Sequence, residues 1–401
     1  MFSSQNAFVV DAVRTPIGRF KGGLSSVRPD DMVALMLRAL SDRNRDAVRS
    51  LEQVVFGATN QAGEDNRNVA RMGALLAGLP VEVPALTVNR LCGSGLEAVT
   101  DAVMRIWTGD ADVVIAGGVE SMTRAPFAMR KAEESFSREP PKMFDTTLGW
   151  RFENEKLAAM FPLISMGETA ENVADKWKIT REEQDAFAQA SQGKAGRAIA
   201  GHAFDAEIVP VEIPQRKGPP IVLREDESPR PDVTQEQLAK LQPVFRKGGS
   251  VTAGNSSPIN DGASSVLVVS EKVVKDLKLV PLARVVSFAT AGVDPSIMGE
   301  GPIPAGKKAL ARAGWKANDL DWIELNEAFA AQSIACIRGL ELDTAHVNPY
   351  GGAIALGHPI GSSGCRILGT LAHAMKRENK KRGLAALCIG VGQGIAMTLE
   401  R

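Results

Sequence analysis

Residues 87–107 are TVNRLCGSGLEAVTDAVMRIW and residues 346–364 are HVNPYGGAIALGHPIGSSG. In both stretches a strand-like run ends in a glycine-rich turn that leads toward a helix. Three further pairs of segments match in the same order: AFVVDAVRTP (7–16) with ARVVSFATAG (283–292), LEQVVFGATNQA (51–62) with LDWIELNEAFAA (320–331), and ADVVIAGGVESM (111–122) with LAALCIGVGQGIAM (384–397). Chance similarity is the alternative, because buried strands are all rich in Val and Ile. Four matches in one order predict a duplicated α/β protein.

The charged and proline-punctuated region between the two halves predicts an insertion. Loops and helices that cover one face are expected there, including helical sequence over 167–200 with Thr180 as N-cap and Glu183 completing a capping box. The strand-like run VLVVS (266–270) then returns the chain to the first half. The predicted division is an N-terminal α/β half (1–120), an inserted loop domain (121–250), a return segment (251–270) and a C-terminal α/β half (271–401).

Charge and hydropathy exclude several classes of partner. The 401 residues include 47 Lys plus Arg and 47 Asp plus Glu. A net charge of zero argues against nucleic acid as the main partner. No apolar run approaches the ~18 to 20 residues that span a bilayer, and the N-terminus has no signal-peptide core. A cytoplasmic protein without membrane segments is therefore expected.

Cys92 is the first candidate for chemistry. The four cysteines show no disulfide spacing, so they are expected to be free thiols. Cys92 lies where the predicted helix begins, and unsatisfied backbone N–H groups there should lower its pKa. Gly93 and Gly95 are expected to let a substrate approach the backbone. The alternative is a buried cysteine that only packs.

Two later glycine-rich turns carry His358 and Cys388. His358 lies between Gly357 and Pro359, a position better suited to general-base chemistry than the helical His373. Cys336 and Cys365 are in helical contexts and are predicted to pack. Asn326 follows the apolar run WIEL, where it is either a helix N-cap or a group that positions water or an oxyanion. No metal-ligand spacing occurs, so no metal site is expected.

Several motifs together resemble the thiolases over essentially the whole chain. They are NRLCGSG (89–95), GGVESM (117–122), TAENVA (169–174), TAGNSS (252–257), NEAFA (326–330), GGAIALGHPIGSSG (351–364) and CIGVGQG (388–394). The resemblance implies a five-layered α-β-α-β-α core built from two duplicated halves. It also implies an acetyl-CoA C-acyltransferase that cleaves or forms 3-oxoacyl-CoA, with no tightly bound cofactor and with CoA thioesters as substrates. A homodimer or homotetramer is expected.

The same resemblance assigns roles to individual residues. Cys92 resembles the acyl-accepting nucleophile, His358 the residue that activates it, and Cys388 the thiol that moves the proton on the acetyl-CoA carbon. Asn326 would hold a water near the enolate oxygen, and the N–H groups of Cys92 and Gly390 would face the tetrahedral oxyanion. The residues expected to contact substrate or CoA are Ser257, Met166, Ala253 and Phe329.

Departures from the common family motifs bear on the substrate. Val391 replaces a glycine of the terminal motif, Pro258 stands where a glycine is usual, and Ser165 stands where short-chain biosynthetic thiolases typically have histidine. CIGVGQG together with DTTLGWRF (145–152) is similar to the 3-oxoadipyl-CoA thiolases. Arg151 is a candidate for binding a distal carboxylate, since guanidinium can bind one bidentately; a solvated surface arginine is the alternative.

Four other activities stay open at this point. One is an acetyl-CoA acetyltransferase that forms acetoacetyl-CoA. A decarboxylating ketoacyl synthase would not need Cys388, and a cysteine hydrolase would use Cys92, His358 and Asn326 without CoA. A non-catalytic acyl-CoA or lipid-binding protein would be expected to have lost a reactive residue, and none is missing here.

Overall fold

The N-terminal half alternates strands and helices, as its hydropathy pattern predicts. The structure is a computed structural model and describes residues 5–136, 138 and 140–401. The elements of this half are β1 (Ala7–Arg14), β2 (Gly18–Arg19), α1 (Pro29–Arg43), α2 (Arg45–Val48), β3 (Gln53–Gly57), α3 (Val69–Leu76), β4 (Ala85–Val88), α4 (Ser94–Thr108) and β5 (Val113–Ser121).

The insertion consists of helices, loops and two small hairpins. Its elements are β6 (Phe127–Met129), β7 (Met143–Asp145), α5 (Glu155–Met160), α6 (Met166–Trp177), α7 (Arg181–Ala200), β8 (Val211–Ile213), β9 (Ile221–Leu223) and α8 (Gln235–Ala239). The hairpins β6–β7 and β8–β9 are separate two-stranded sheets that the sequence did not predict. The predicted capping box of Thr180 and Glu183 at the start of α7 is confirmed.

The chain then returns to the first half and continues into the second. The remaining elements are β10 (Asn260–Ser270), α9 (Glu271–Asp276), β11 (Ala283–Gly292), α10 (Pro302–Ala313), β12 (Trp322–Leu325), α11 (Ala330–Leu340), α12 (Ala353–Leu356), α13 (Ile360–Arg377), β13 (Arg382–Ile389) and β14 (Gln393–Glu400). Among the residues described, no helix combines the length and the apolar character that crossing a membrane requires.

The strand order confirms the duplication. In the first half the order is β4-β3-β5-β10-β1, and in the second it is β12-β13-β14-β11, with Val347 making a parallel bridge beyond β12. Parallel pairs occupy corresponding places in the two halves, as do antiparallel pairs. The two half-sheets join where β1 pairs with β11 around Phe8 and Arg284.

The five predicted layers follow from which faces of the strands are buried. Helices α4 and α13 lie between the half-sheets, and one apolar cluster combines them with strands of both. A second cluster packs α1 on the outer face of the first half-sheet, and a third packs α10 and α11 on the outer face of the second. Neighbouring residues of β5 therefore face different layers: Val114 faces α4 and α13, whereas Val113 and Ile115 face α1. This explains why the strand is apolar at every position.

Glycines let the two central helices approach each other closely. A Cβ on Gly95 would lie 2.8 Å from the backbone N of Cys365 and 2.9 Å from the carbonyl of Gly361. A Cβ on Gly364 would lie 2.4 Å from the backbone N of Leu96. The N-termini of α4 and α13 are thereby held side by side. Cys92 precedes α4 by two residues, and His358 precedes α13 by two residues.

Candidate active site

Cys92 lies in the turn between β4 and α4. Helix α4 begins at Ser94, and Gly93 is its N-cap. The preceding Leu91 has a φ of 47°, in the left-handed region that a branched residue rarely adopts. Gly390 lies beside Leu91, and its backbone N–H is near the half-buried Cys92 thiol. The loop after β13 therefore meets the cysteine turn, which brings two predicted site residues together.

Two expectations about this turn are wrong. Burial raises the pKa of Cys92, and the charge of Glu120 raises it further, although the N–H groups of Gly390 and Cys92 act in the opposite direction. The thiol lies before the first helical residue and in the interior, so loss of hydration outweighs the helix N-terminus. The space beside the glycines is also filled by protein: a Cβ on Gly93 would lie 2.6 Å from Ile389, and Gly95 faces α13.

His358 is buried, and its orientation is fixed by hydrogen bonds on two sides. Its backbone N–H donates to Asn260 Oδ1 (2.9 Å), and its Nδ1 lies 2.6 Å from Ser363 Oγ. Because the single hydroxyl proton of Ser363 is donated to the carbonyl of Pro359 (2.9 Å), the hydrogen-bond network assigns the ring proton to Nδ1. Nε2 is thus an acceptor. Burial and the nearby Arg366 lower the pKa of His358 to about 3, so the ring is neutral at pH 7.

Asn326 follows β12 and faces His358. Its Nδ2 lies 3.5 Å from His358 Nε2, and its backbone N–H donates to the carbonyl of Ala386 (2.9 Å), two residues before Cys388. The N-cap alternative is wrong, because α11 begins at Ala330 with Phe329 as N-cap. Within the part of the chain that the structure describes, Asn326 Oδ1 is buried without a hydrogen-bond partner. The site thus offers an unused amide oxygen.

Cys388 is the second thiol of the site. It is wholly buried at the end of β13, in an apolar cluster with Met166 and Phe329. Burial raises its pKa well above the ordinary value, and Cys92 is close enough to raise it further. Cys388 is therefore protonated at neutral pH. Cys336 and Cys365 are buried in α11 and α13, which confirms that they pack.

The remaining predicted site residues divide into those in segments near Phe329 or Gly390 and one, Arg151, that is hydrogen-bonded elsewhere. The backbone N–H of Ser257 donates to the carbonyl of Ala328 (3.0 Å), which places it next to Phe329, and Met166 begins α6 with its sulfur near Gly390. Ala253 is exposed in the same loop as Ser257. The half-buried Arg151 donates from Nη1 to the carbonyl of Thr146 (3.3 Å). No hydrogen bond or ion pair of the described residues links Arg151 to the two thiols.

Sequence reasoning missed Ser363 and Glu120. The Glu120 carboxylate accepts hydrogen bonds from Thr59 Oγ1 (2.7 Å), from the backbone of Thr59 and Asn60, and from Gly361 N–H (3.0 Å). Burial raises its pKa to about 7. The signal for Glu120 is a carboxylate near the end of an otherwise apolar strand, and for Ser363 a hydroxyl in the first turn after His358.

Within the described ranges, no group of three or more His, Cys, Asp and Glu side chains is placed to hold a metal ion. The reactive groups of the site are the two thiols, one neutral imidazole, one amide and the backbone N–H groups of the cysteine turn and of Gly390. Such a set suits acyl transfer through a thioester followed by proton transfer to carbon.

Comparisons with known proteins agree with this geometry. The thiolase N-terminal domain family matches residues 7–272, and the thiolase C-terminal domain family matches residues 279–401. The beta-ketoadipyl-CoA thiolase of Acinetobacter baylyi is 53% identical over 400 residues, covering 99% of this chain and all of the relative. The 3-oxoadipyl-CoA/3-oxo-5,6-dehydrosuberyl-CoA thiolase of Escherichia coli is also 53% identical with the same coverage. The crystal structure of the Bacillus anthracis acetyl-CoA acetyltransferase superposes with a TM-score of 0.94 at 41% identity and covers all of both chains. By its two domains, its full-length relatives and its fold, the chain belongs to the thiolase family.

Proposed function

We propose that the protein catalyses CoA-dependent cleavage of 3-oxoadipyl-CoA and related 3-oxoacyl-CoA thioesters, giving acetyl-CoA and a shortened acyl-CoA, and the reverse condensation. The observation that carries this proposal is a pair of neighbouring thiols, Cys92 and Cys388, in a site where Asn326 bonds the strand of Cys388 and lies beside the neutral imidazole of His358. The full-length relatives named for 3-oxoadipyl-CoA support the choice of substrate.

Cleavage begins at Cys92. His358 Nε2 accepts the thiol proton as Sγ attacks the 3-oxo carbon, and the resulting oxyanion faces the N–H groups of Cys92 and Gly390. This order suits a raised Cys92 pKa, because the proton leaves only as the bond forms. Collapse of the oxyanion breaks the bond between C2 and C3, and the electron pair moves to C2 as the enolate of acetyl-CoA.

Cys388 completes the first half-reaction by donating its proton to C2. Its raised pKa keeps it protonated until the carbanion equivalent forms. The enolate oxygen lies against His358 and a water held by Asn326. In the second half-reaction a CoA thiol attacks the acyl group on Cys92, its proton restores Cys388, and the proton on His358 returns to Cys92.

Contacts with the rest of the substrate belong to the insertion, to the loop 251–259 and to the segment directly before α11. Ser257, Ala253, Met166 and Phe329 contact the CoA arm or the acyl chain in this proposal. Arg151 binds the distal carboxylate; it uses one nitrogen for a backbone carbonyl, so other donors of its guanidinium are available for a carboxylate.

The assembly is a homodimer or homotetramer in the cytoplasm. Support comes from the β6–β7 hairpin, where Phe127, Met129 and Met143 are 70%, 55% and 65% exposed. A group of large exposed apolar side chains is typical of an interface between proteins. Four free cysteines suit a reducing compartment.

An acetyl-CoA acetyltransferase that forms acetoacetyl-CoA is the second candidate. The superposition on the Bacillus anthracis acetyltransferase favours it. Ser165 argues against it, since its hydroxyl only caps α6 by accepting from Glu168 N–H (3.2 Å). The presence of every reactive residue argues against a non-catalytic binding protein.

The test is a substrate panel with acetoacetyl-, longer 3-oxoacyl- and 3-oxoadipyl-CoA, with and without CoA, followed by mass spectrometry of Cys92. The expected result is the highest kcat/KM for 3-oxoadipyl-CoA and an acyl adduct on Cys92. Cys388→Ser should abolish carbon–carbon cleavage while Cys92 is still acylated by acetyl-CoA. Turnover without an adduct would refute the covalent route, and an Arg151→Ala variant with unchanged activity on 3-oxoadipyl-CoA would refute the role of Arg151.

A further inference from the structure

Glu327 is a wholly buried carboxylate to which the mechanism above assigns no role. It directly follows Asn326, and its two oxygens accept three hydrogen bonds. Oε1 accepts from Asn348 Nδ2 (2.7 Å), whereas Oε2 accepts from Ser191 Oγ (2.6 Å) and from the backbone N–H of Ile354 (3.2 Å). One carboxylate thus joins the Asn326 loop, helix α7 of the insertion and the segment that leads to His358.

The surroundings of Glu327 leave it no alternative position. A Cβ on Gly352 would lie 2.2 Å from the carboxyl carbon of Glu327. The amide of Asn348 cannot turn over, because its Oδ1 accepts from Leu325 N–H (2.8 Å) while its Nδ2 donates to the carbonyl of Leu325 (2.8 Å). Burial raises the pKa of Glu327, and on the side of the insertion the charge of Lys194, which donates to the carbonyl of Val347 (2.8 Å), acts in the opposite direction.

The residues that Glu327 connects lie close in sequence to Asn326 and His358. Asn326 is the neighbour of Glu327 in sequence, and His358 is four residues beyond Ile354. These two side chains meet at 3.5 Å, a distance longer than an ordinary hydrogen bond, so a shift of either loop changes how they surround an oxygen between them. Glu327 makes no hydrogen bond to Cys92, Gly390 or Cys388 among the described residues.

We propose that Glu327 is a positioning residue that sets the separation of Asn326 and His358 and thereby the rate of the enolate step. The inference rests on the proposed thiolytic function. Loss of the hydrogen bonds of Glu327 slows proton exchange at C2 of acetyl-CoA. Cys92 keeps its reactivity, because α4 and β13 hold the cysteine turn instead.

Glu327→Gln is the most informative variant. It keeps the shape of the side chain but places an NH2 donor opposite another hydrogen-bond donor. Its new NH2 group faces either Asn348 Nδ2 or the N–H of Ile354, and neither can become an acceptor. Glu207→Gln is the matched control. Glu207 is equally buried and also ties the insertion to the core, through Arg14 and Thr370 (3.1 Å), away from the two active-site loops.

The experiment compares wild type with both variants in four measurements: Tm, kcat and KM for thiolysis, deuterium incorporation from D2O into the methyl group of acetyl-CoA, and alkylation of Cys92 by iodoacetamide. For Glu327→Gln we expect kcat and deuterium exchange to fall about 10- to 100-fold while KM and the alkylation rate change less than about 3-fold. Glu207→Gln should lower Tm but keep kcat within about 2-fold.

Three outcomes would overturn the inference: a folded Glu327→Gln with wild-type exchange, a parallel loss of exchange and alkylation, or an equal loss of kcat in Glu207→Gln. If Glu327→Gln does not fold, Ser191→Ala removes one donor to Glu327, together with the acceptor of Gly352 N–H (3.0 Å), and should still lower exchange several-fold; unchanged exchange there also overturns the inference. A wild type without CoA-dependent cleavage refutes the proposed function instead, so the two failures are distinguishable.

Discussion

Gly95→Ala tests whether the contact between the two central helices controls the chemistry. The added Cβ would lie 2.8 Å from the backbone N of Cys365, 2.9 Å from the carbonyl of Gly361 and 3.0 Å from that of Ser362. All three are backbone atoms of α13 and cannot rotate away. Helices α4 and α13 must therefore separate by roughly 0.5 Å, in an interior packed too densely to absorb the change.

The expected cost follows from this displacement. Overpacking of a dense core typically costs about 1–3 kcal/mol, so we expect Tm to fall by several degrees. Cys92 and His358 precede the two helices and move apart with them. Because a misplacement of about 1 Å can cost 100-fold in rate, kcat should fall about 10-fold or more with little change in KM.

The assay is steady-state thiolysis together with thermal unfolding, using Gly193→Ala as control. Gly193 is in α7, and a Cβ there would meet only Arg197 Nη1 at 3.6 Å. Alanine is favoured over glycine in a helix by about 0.8–1.0 kcal/mol, so this variant should be slightly more stable and fully active. A Gly95→Ala variant with wild-type kcat and Tm would refute the reasoning.

Three further predictions concern single residues. The lowered pKa of His358 means that the unfolded chain binds its proton more readily between pH 6.5 and about 3, so stability falls as pH falls through this window. In urea titrations, the free energy of unfolding of wild type should fall between pH 7 and 5 by about 2 kcal/mol more than that of His358→Asn. The same pH dependence in both proteins would contradict this. Ser363→Ala frees the ring that its hydroxyl orients and should lower kcat about 10-fold at unchanged KM; unchanged kcat would contradict it. Val391 has a φ of 64° and is 39% exposed, so Val391→Asn should stabilise the protein by about 1 kcal/mol in the same titrations, and a loss of stability would show that packing of Val391 matters more than its backbone strain.

The sequence predicted the arrangement of strands because the repeated segments carry it. Each half has corresponding strands in the same order. A strand that is buried on both faces is apolar at successive positions, which is easily recognised in the sequence. The hairpins β6–β7 and β8–β9 escaped prediction because each strand has only three residues, which is too few to establish a period, even in β8 where Val211 and Ile213 are buried and Glu212 is exposed. The start of α11 at Ala330 also escaped, since NEAF is a non-helical segment with a bend at Ala328 and an extended Phe329.

The site was predictable where the residue type itself carries the chemistry. Cys92, His358 and Cys388 are reactive groups in glycine-rich turns; the structure places Cys388 near Cys92 and His358 beside Asn326, and their catalytic roles stay predictions. The direction of the Cys92 pKa shift was not predictable, because burial of the cysteine turn depends on segments distant in sequence, such as the loop of Gly390 and the side chains of Ile389 and Ile395. Glu327 and Ser363 were missed for a related reason: their importance comes from hydrogen-bond partners that only the fold reveals. The proposed domain boundaries and the roles of Arg151 and Ala253 stay predictions.

The glycines of these segments allow close packing of helices and strands, whereas the sequence predicted that they let substrate approach the backbone. Gly95 and Gly364 face the opposite central helix, and Gly361 faces the backbone of β5. The first half contributes α4 and its cysteine, whereas the second contributes α13 and its histidine. Neither half contains both Cys92 and His358, and the close packing of the two glycine-bearing helices holds the turns of these residues side by side in the central layer. Duplication followed by close packing of equivalent helices therefore accounts for the neighbouring positions of the Cys92 and His358 turns, and the insertion adds a hydrogen bond from Ser191 to Glu327, which also accepts from the segment that leads to His358.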